Sequence, residues 1–137
     1  MAEAWIATHP MAWSEGNAVT FAITSREGEL RGAIALRMAF EHSRGELGYW
    51  IGHPYWGQGL ATEAAEAVLE FAFRTLQLNR VQASYLPSNP SSGRVLEKLG
   101  MQREGLHRQR YRKGDQFQDV VESAILRHDW MARHEAA

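Results

Sequence analysis

The sequence contains no cysteine, which excludes disulfides, thiolate metal sites and a cysteine nucleophile. It has no apolar run near the roughly 18 residues that a membrane-spanning helix needs. It also lacks a basic start followed by an apolar stretch, so we expect no signal peptide. The formal net charge of −1 gives no overall attraction to nucleic acid or anionic membranes. Together these absences favour a cytoplasmic protein.

What the chain does contain is ordinary for a globular protein, with 45% hydrophobic and 23% charged residues. Its 137 residues suit one domain, which we expect to span residues 1–137. The six histidines are dispersed, with no His-x-x-x-His pair and no nearby set of carboxylates. We therefore predict no metal site.

Hydrophobic periodicity predicts a mixed α/β domain. Period-two alternation predicts strands, and apolar residues at i, i+4 and i+8 predict helices. Near the N-terminus, Trp5, Ile6 and Trp13 favour part of a helix that Pro10 interrupts. The predicted order is three antiparallel strands, a helix, a strand, a short helix and a terminal hairpin. The strands are 19–24, 30–38, 46–51, 79–85, 106–112 and 118–127; the helices start at 60 and 91.

The most informative segment is 48–62, where a strand leads through a glycine-containing loop into a helix. A helix N-terminus leaves backbone N–H groups unpaired and carries a partial positive charge, so it binds phosphate readily. Gly57 and Gly59 remove side chains where the backbone must approach an anion. Ala61 and Thr62 keep the first turn small. The segment therefore predicts a cradle for a pyrophosphate.

Other phosphate-binding motifs fit this segment less well. A P-loop needs Gly-Lys-Ser/Thr at the start of the helix, and none is present. A Rossmann fingerprint needs three glycines directly after the strand, but the third position here is Thr62 and the loop before Gly57 is long. The next strand ends near Tyr85 rather than at an acidic residue. A tight turn without a ligand stays open as the alternative.

This segment resembles motif A of the GNAT acetyltransferase superfamily, whose general pattern is Arg/Gln-x-x-Gly-x-Gly/Ala. Here the pattern reads Trp56-Gly-Gln-Gly-Leu-Ala61. Trp replaces Arg/Gln, as is common in the branch of the ribosomal-protein-alanine acetyltransferases (RimJ/RimL type). A second segment is similar to a signature of the same branch. It begins with Asn89-Pro-Ser-Ser92, continues through residues 94–101 and is followed by Glu104-Gly105. A third is the closing hairpin. The matches cover about residues 20–130 in the family's order.

The resemblance implies an N-acetyltransferase that uses acetyl-CoA as cosubstrate. It would transfer acetyl to an amine, on a protein N-terminus or a small molecule, by direct attack in a ternary complex. The implied fold is a mostly antiparallel sheet with flanking helices and a splayed parallel strand pair, 46–51 and 79–85. The residues implied to contact the coenzyme are Ile51, Trp56, Gly57, Gln58, Gly59, Leu60, Ala61, Thr62, Asn89 and Ser92.

The resemblance also implies catalytic roles. The N–H near Ile51 would stabilise the oxyanion, and Ser92 would act as general acid for the thiolate, unless it is only a helix-cap hydroxyl. A carboxylate must lie near the amine as base. Glu46 is our first choice. The alternative for this residue is that it is only a charged edge residue on a half-exposed strand. Glu122 and Asp119 are fallbacks.

The chain departs from the family at its start, because only about 18 residues precede the strand that contains Phe21. The family's first strand and first helix, which help to wall the acceptor pocket, are thus expected to be missing. This would expose a sheet edge, so we expect a homodimer.

Two other functions stay open. One is a catalytically inactive CoA-binding protein with an incomplete acceptor site. The other is nucleic-acid binding through Arg108, Arg110 and Arg112, which alternation would place on one face of a strand. We favour a solvated face for these arginines.

Overall fold

A computed structural model describes residues 5–6, 17–57 and 59–135, and the statements below concern these residues. The described residues form seven strands and three α-helices. The strands are β1 Trp5–Ile6, β2 Ala18–Thr24, β3 Leu30–Ala39, β4 Arg44–Ile51, β5 Arg80–Tyr85, β6 Gln102–Lys113 and β7 Gln116–Leu126. The helices are α1 Leu60–Glu70, which continues as a π-helical turn over Phe71–Thr75, α2 Pro90–Lys98 and α3 Arg127–Glu135.

The strands form one sheet in the order β1-β2-β3-β4-β5-β7-β6. Every neighbouring pair is antiparallel except β4 and β5, which are parallel. A parallel connection needs a crossover, and α1 supplies it. The predicted mixed α/β fold with one parallel strand pair is therefore confirmed.

The core lies between the sheet and one layer of helices. Along β2 and β3, alternate apolar residues are buried while their neighbours are half-exposed. In α1 the predicted face formed by Leu60, Ala64 and Val68 is buried. The same alternation on β4 buries Gly45 and Leu47. We call the face of the sheet that packs against the helices the helix side, and the opposite face the open side.

The N-terminal prediction was wrong for Trp5 and Ile6. They form a short strand, because their backbones pair with Thr24 and Ile23 at the edge of β2. This pairing also gives the edge of β2 a partner over these residues. Pro10 and Trp13 lie outside the described residues.

Helix α3 was missed by sequence analysis, which extended the last strand to Arg127. The strand ends at Leu126, and the helix buries Trp130, which is 1% exposed, against the ring of Phe73 at 5.4 Å between centroids. His134, one turn later, stacks on Trp130. In the described part of the chain, no helix has both the length and the apolar character needed to cross a membrane.

Candidate functional site

Strands β4 and β5 are paired over only three residues each, from Arg44 with Arg80 to Glu46 with Gln82. Beyond this point β4 continues alongside β3 as far as Ile51, and β5 continues alongside β7 as far as Tyr85. The two strands thus separate in the middle of the sheet. We call the space between them the gap.

The peptide groups of Tyr49 and Ile51 face this gap. The Gly52 N–H donates to the Arg31 carbonyl at 2.8 Å, which makes that antiparallel pair a hydrogen-bonded one. Hydrogen-bonded pairs alternate along an antiparallel ladder, so Trp50 bonds to β3. Tyr49 and Ile51 then direct their N–H and C=O groups away from β3, toward β5. On that side, the pairing of β4 with β5 ends at Gln82, so these groups have no strand partner there.

One of these groups is already engaged. The indole Nε1 of Trp56 donates to the Ile51 carbonyl at 2.8 Å, and the His53 ring packs edge-on against the same indole. Trp56 is otherwise 64% exposed. It therefore holds the loop after β4 against the end of that strand, and it leaves the Ile51 N–H directed into the gap.

The start of α1 has the backbone features expected of an anion site. Gly57 and Gly59 both have φ of +76°, a conformation that strongly favours glycine. No atom lies within 4 Å of where a Cβ on Gly57 would be. Gly59 is the N-cap residue of α1, and as a glycine it has no side chain with which to cap the first N–H groups of the helix. Gln58 lies outside the described residues.

At the start of α2, Asn89 and Ser92 come together. The Asn89 Nδ2 donates to the Ser92 Oγ at 3.0 Å, and Asn89 does not cap the helix with its side chain. Gly93 allows the end of β5 to approach closely, because a Cβ there would lie 2.9 Å from the Tyr85 ring. The first turn of α2 therefore borders the gap on the helix side.

Sequence analysis did not find Tyr49, whose side chain reaches the same place from β4. The Ser92 hydroxyl is near enough to lower the pKa of the Tyr49 phenol, but burial has the larger effect and the net pKa is raised. The phenol oxygen itself is buried, with the Ser92 hydroxyl beside it. The period-two alternation of β4 carried the signal, since it assigns Tyr49 to the face of Leu47.

The open side of the gap carries a different set of residues. Glu46 is exposed beside Gln82, its parallel partner. Glu122 is opposite Ser84, further along β5. The Glu122 carboxylate contacts the His107 Nε2 at 2.9 Å. The structure thus brings two of the three predicted base candidates to one face, on either side of β5.

At the paired end of the gap, Arg80 of β5 forms an ion pair with Glu104 of β6. Arg80 donates two hydrogen bonds to Glu104, at 2.7 and 2.9 Å. The Arg80 guanidinium lowers the pKa of Glu104, and in return the Glu104 carboxylate raises the pKa of Arg80. Glu122 also acts on Arg80 electrostatically.

Asp119, the third base candidate, has a structural role. Its carboxylate accepts the backbone N–H of Gln109 at 2.8 Å, where β6 has an irregularity between His107 and Tyr111. Gln109 has a φ of +51°, so the strand does not alternate regularly there. Regular alternation therefore does not by itself assign the three arginines of β6 to one face.

The comparisons with known proteins identify the family. A family model described as an acetyltransferase (GNAT) domain matches residues 1–102. The chain belongs to the GNAT acetyltransferases. The splayed strand pair and the glycine loop before α1 are thus features of a GNAT domain, and this family uses acetyl-CoA as acetyl donor.

Curated relatives are similar over most of this chain. It is 37% identical over 116 residues to an uncharacterized N-acetyltransferase, YnaD, of Bacillus subtilis, covering 83% of this chain and 68% of that protein. It is 37% identical over 84 residues to the [ribosomal protein uS5]-alanine N-acetyltransferase of Escherichia coli, covering 61% of this chain and 43% of that protein.

Among solved structures, a GNAT-family acetyltransferase from Bacillus anthracis matches with a TM-score of 0.74 and 34% identity, covering 80% of this chain and 66% of that chain. A spermidine N-acetyltransferase from Vibrio cholerae has a TM-score of 0.83 at 21% identity, covering 88% of this chain and 72% of that chain, and supports the fold alone. The chain spans roughly two thirds of the length of several of these relatives.

Proposed function

We propose that this protein transfers an acetyl group from acetyl-CoA to an amine by direct attack in a ternary complex, across the gap between β4 and β5. The observation that carries the proposal is the separation of these strands beyond Glu46 and Gln82. It leaves the Tyr49 peptide groups and the Ile51 N–H without a pairing partner on β5, with the start of α1 on one side of the sheet and carboxylates on the other.

The residues on the helix side suit the acetyl donor. The N–H groups of residues 59–62 would hold the pyrophosphate, because this helix start is uncapped and two glycines with positive φ flank the loop. The N–H and C=O groups of Tyr49 would pair with the pantetheine amides as a neighbouring strand would. Asn89 and Ser92 would contact the same arm from α2.

Acetyl-CoA supplies the activated acetyl thioester. The Ile51 N–H would stabilise negative charge on the acetyl oxygen, since it is fixed by the sheet and faces the gap. Ser92 would serve as acid toward the leaving thiolate. Its Oγ accepts a hydrogen bond from the Asn89 amide, which holds the hydroxyl at the start of α2.

The open side suits the acceptor. Glu46 is our proposed base, because it is exposed at the point where the strands separate. Glu122, held by His107, is the alternative. A relative in this family is named for a ribosomal-protein alanine, so we propose an amine acceptor, either a protein N-terminus or a small amine.

A catalytically inactive CoA-binding protein is the alternative to an active enzyme. We also propose a single domain, a cytoplasmic location and a homodimer. Leu106, Tyr111 and Phe117 support the homodimer, because they are exposed apolar side chains on the terminal hairpin. Light scattering after size exclusion would contradict this if it gave a monomer at micromolar concentration.

Calorimetric titration with acetyl-CoA tests the coenzyme site, with the native chain compared with Gly59→Glu. The added carboxylate would repel and obstruct the pyrophosphate, so micromolar binding should be lost in the variant. Gly114→Glu is the matched control, because this glycine also has a positive φ but lies in the distant hairpin turn. No binding by a folded native chain would contradict the proposal.

A further inference from the structure

A histidine and a glutamate form a pair on the open side of the sheet, close to the gap. The Nε2 of His107 on β6 lies 2.9 Å from the Oε2 of Glu122 on β7, and the two side chains are 40% and 24% exposed. Glu122 is directly opposite Ser84 on β5, and Ser84 is exposed. The pair thus begins one strand away from the gap, beside a short side chain that leaves the carboxylate accessible.

Irregular backbone places His107 in this pair. The pairing of β6 with β7 shifts register on both sides of His107. In the second irregularity, Gln109 has a φ of +51°, which is uncommon for a residue other than glycine, and Asp119 accepts its N–H at 2.8 Å. Bulges re-aim side chains and are frequent beside active sites, so the backbone here favours a function for His107.

The chemistry of the acceptor supplies a task for such a pair. A protein N-terminus has an ordinary pKa of about 7.7–8.0, and an alkylamine such as a lysine side chain one of about 10.4. Either acceptor reaches the enzyme mostly as an ammonium at neutral pH, and an ammonium has no electron pair with which to attack. It must lose one proton before the attack and a second during it. Glu46 is proposed to accept the second proton, and the first needs an acceptor of its own.

We propose that the His107–Glu122 pair removes the first proton from the acceptor's ammonium and passes it to solvent. This inference rests on the proposed acetyl transfer. An N–H bond of the ammonium breaks, its electron pair stays on nitrogen, and the proton goes to the Glu122 carboxylate. From there it passes to the Nε2 of His107, and the imidazolium loses a proton to water. The neutral amine then attacks the acetyl carbon, the C–S bond breaks with its electron pair going to sulfur, and Glu46 accepts the second proton.

The contacts around Glu122 suit this transfer. Within the described part of the chain, His107 is its one hydrogen-bond partner, through Oε2, so Oε1 is left for the ammonium. Arg80 on β5 interacts electrostatically with Glu122, but its guanidinium donates two hydrogen bonds to Glu104 on β6. Glu46 lies on the other side of β5. The ammonium can therefore meet one carboxylate from each side of the gap.

The first test compares His107→Gln with His128→Gln. Glutamine can still donate a hydrogen bond to Glu122, but it cannot carry a proton. His128 is the matched control because it also lies beside a carboxylate, that of Asp129 at 3.5 Å, but at the start of α3. The substrate is a short peptide with a free N-terminal alanine. Its amine is mostly charged at pH 6.5 and mostly neutral at pH 9.

At pH 6.5 we expect kcat/KM of His107→Gln to decrease about tenfold, less than the roughly 10²–10⁴-fold of a direct acid–base group, because water can still accept the proton. At pH 9 the decrease should shrink to within about twofold, since the amine arrives neutral. His128→Gln should match the native protein at both pH values, and neither variant should change the dissociation constant for acetyl-CoA. An equal decrease at both pH values, or none at pH 6.5, would overturn the proposal.

The second test asks whether the two residues act in series. Glu122→Gln should show the same pH pattern as His107→Gln, and it carries the pH test if circular dichroism shows that His107→Gln does not fold. The double variant should be no slower than Glu122→Gln alone at pH 6.5. Decreases that multiply would overturn the relay while leaving the proposed acetyl transfer intact. If the folded native chain acetylates neither this peptide nor propylamine, the proposed function fails and this inference fails with it.

Discussion

The two sides of the gap differ in how they are built. On the helix side, the residues that would meet the coenzyme are backbone groups and small or hydroxyl side chains, placed by the starts of α1 and α2 and by the end of β4. On the open side, the residues are charged side chains on strands, held by one another, such as Glu122 by His107. On our proposal, the coenzyme common to the family would be recognised by backbone groups, and the acceptor, which varies on this fold, by side chains.

This difference has a practical consequence. Changes on the helix side should alter the binding of acetyl-CoA or the chemical step, whatever the acceptor. Changes on the open side should alter turnover and leave the binding of acetyl-CoA unaffected. The four predictions below separate the two sides, from the largest expected effect to the smallest.

Ile51→Pro should have the largest effect. Proline removes the N–H that faces the gap and leaves the ladder to β3 intact, because Ile51 does not bond to β3. Since removing an oxyanion donor costs about 10²–10³ in kcat, we expect a loss of that size with a folded protein. Trp50→Pro is the matched control, and it should unfold the strand because its N–H bonds to β3. Steady-state kinetics and circular dichroism check both. Similar unfolding in the two variants would contradict the assignment of the gap-facing groups.

Glu46→Gln should decrease kcat by about 10²-fold, the lower end for a general base, because the amide cannot accept the amine's proton. Its dissociation constant for acetyl-CoA should stay within about twofold of the native value. Glu122→Gln is the comparison, since it lies on the same side but across β5. If the decrease appears only in Glu122→Gln, the base is Glu122 rather than Glu46.

Gly93→Ala should weaken the binding of acetyl-CoA by roughly tenfold, or about 1.4 kcal/mol. The new Cβ would lie 2.9 Å from the Tyr85 ring and would push the start of α2 away from the gap. Overpacking lowers the free energy of unfolding by about 1–3 kcal/mol, and the better helix propensity of alanine offsets up to about 1 kcal/mol of this loss. Gly48→Ala, where no atom lies within 4 Å of the new Cβ, should leave this binding unchanged. Calorimetry that gives equal affinities for both variants would count against the placement of α2.

Glu104→Gln should have the smallest effect, about 0.5 kcal/mol in the free energy of unfolding at pH 7, because the ion pair is partly exposed. Arg80 lowers the pKa of Glu104. The stabilisation is therefore present above the ordinary glutamate pKa of about 4.3, and it is lost as the pH falls through the lower folded pKa. The free energies of unfolding of the native and variant proteins, measured with urea, should differ at pH 7 and become equal near pH 3. A difference that persists at pH 3 would show that the pair's charge is not responsible.

Much of the fold could be predicted because short-range sequence patterns identify the residues that are buried on the helix side of the sheet. The alternation in β2 and β3, the apolar face of α1 and the glycine after α2 all followed from short-range rules. Gly100, with a φ of +89°, ends α2 as expected. The predicted coenzyme residues of α1 and α2 lie at the helix starts where sequence analysis placed them.

The rest depended on contacts between distant parts of the chain. Nothing near Tyr49 in the sequence shows that its hydroxyl lies beside Ser92, since only the approach of α2 to β4 creates that neighbourhood. The pairing of His107 with Glu122 likewise needs the register of β6 and β7, which an irregularity shifts. Helix α3 was missed because its stability comes from packing Trp130 against Phe73, not from a continuous apolar stripe.

The most direct test of the gap as the coenzyme site is residue-resolved amide hydrogen exchange by NMR, with and without acetyl-CoA. The N–H groups of Tyr49 and Ile51 face the gap, whereas those of Gly48 and Trp50 already bond to β3. We predict that acetyl-CoA slows exchange at Tyr49 and Ile51 and leaves Gly48 and Trp50 nearly unchanged. Unchanged exchange at Tyr49 and Ile51 while acetyl-CoA is bound would contradict the account.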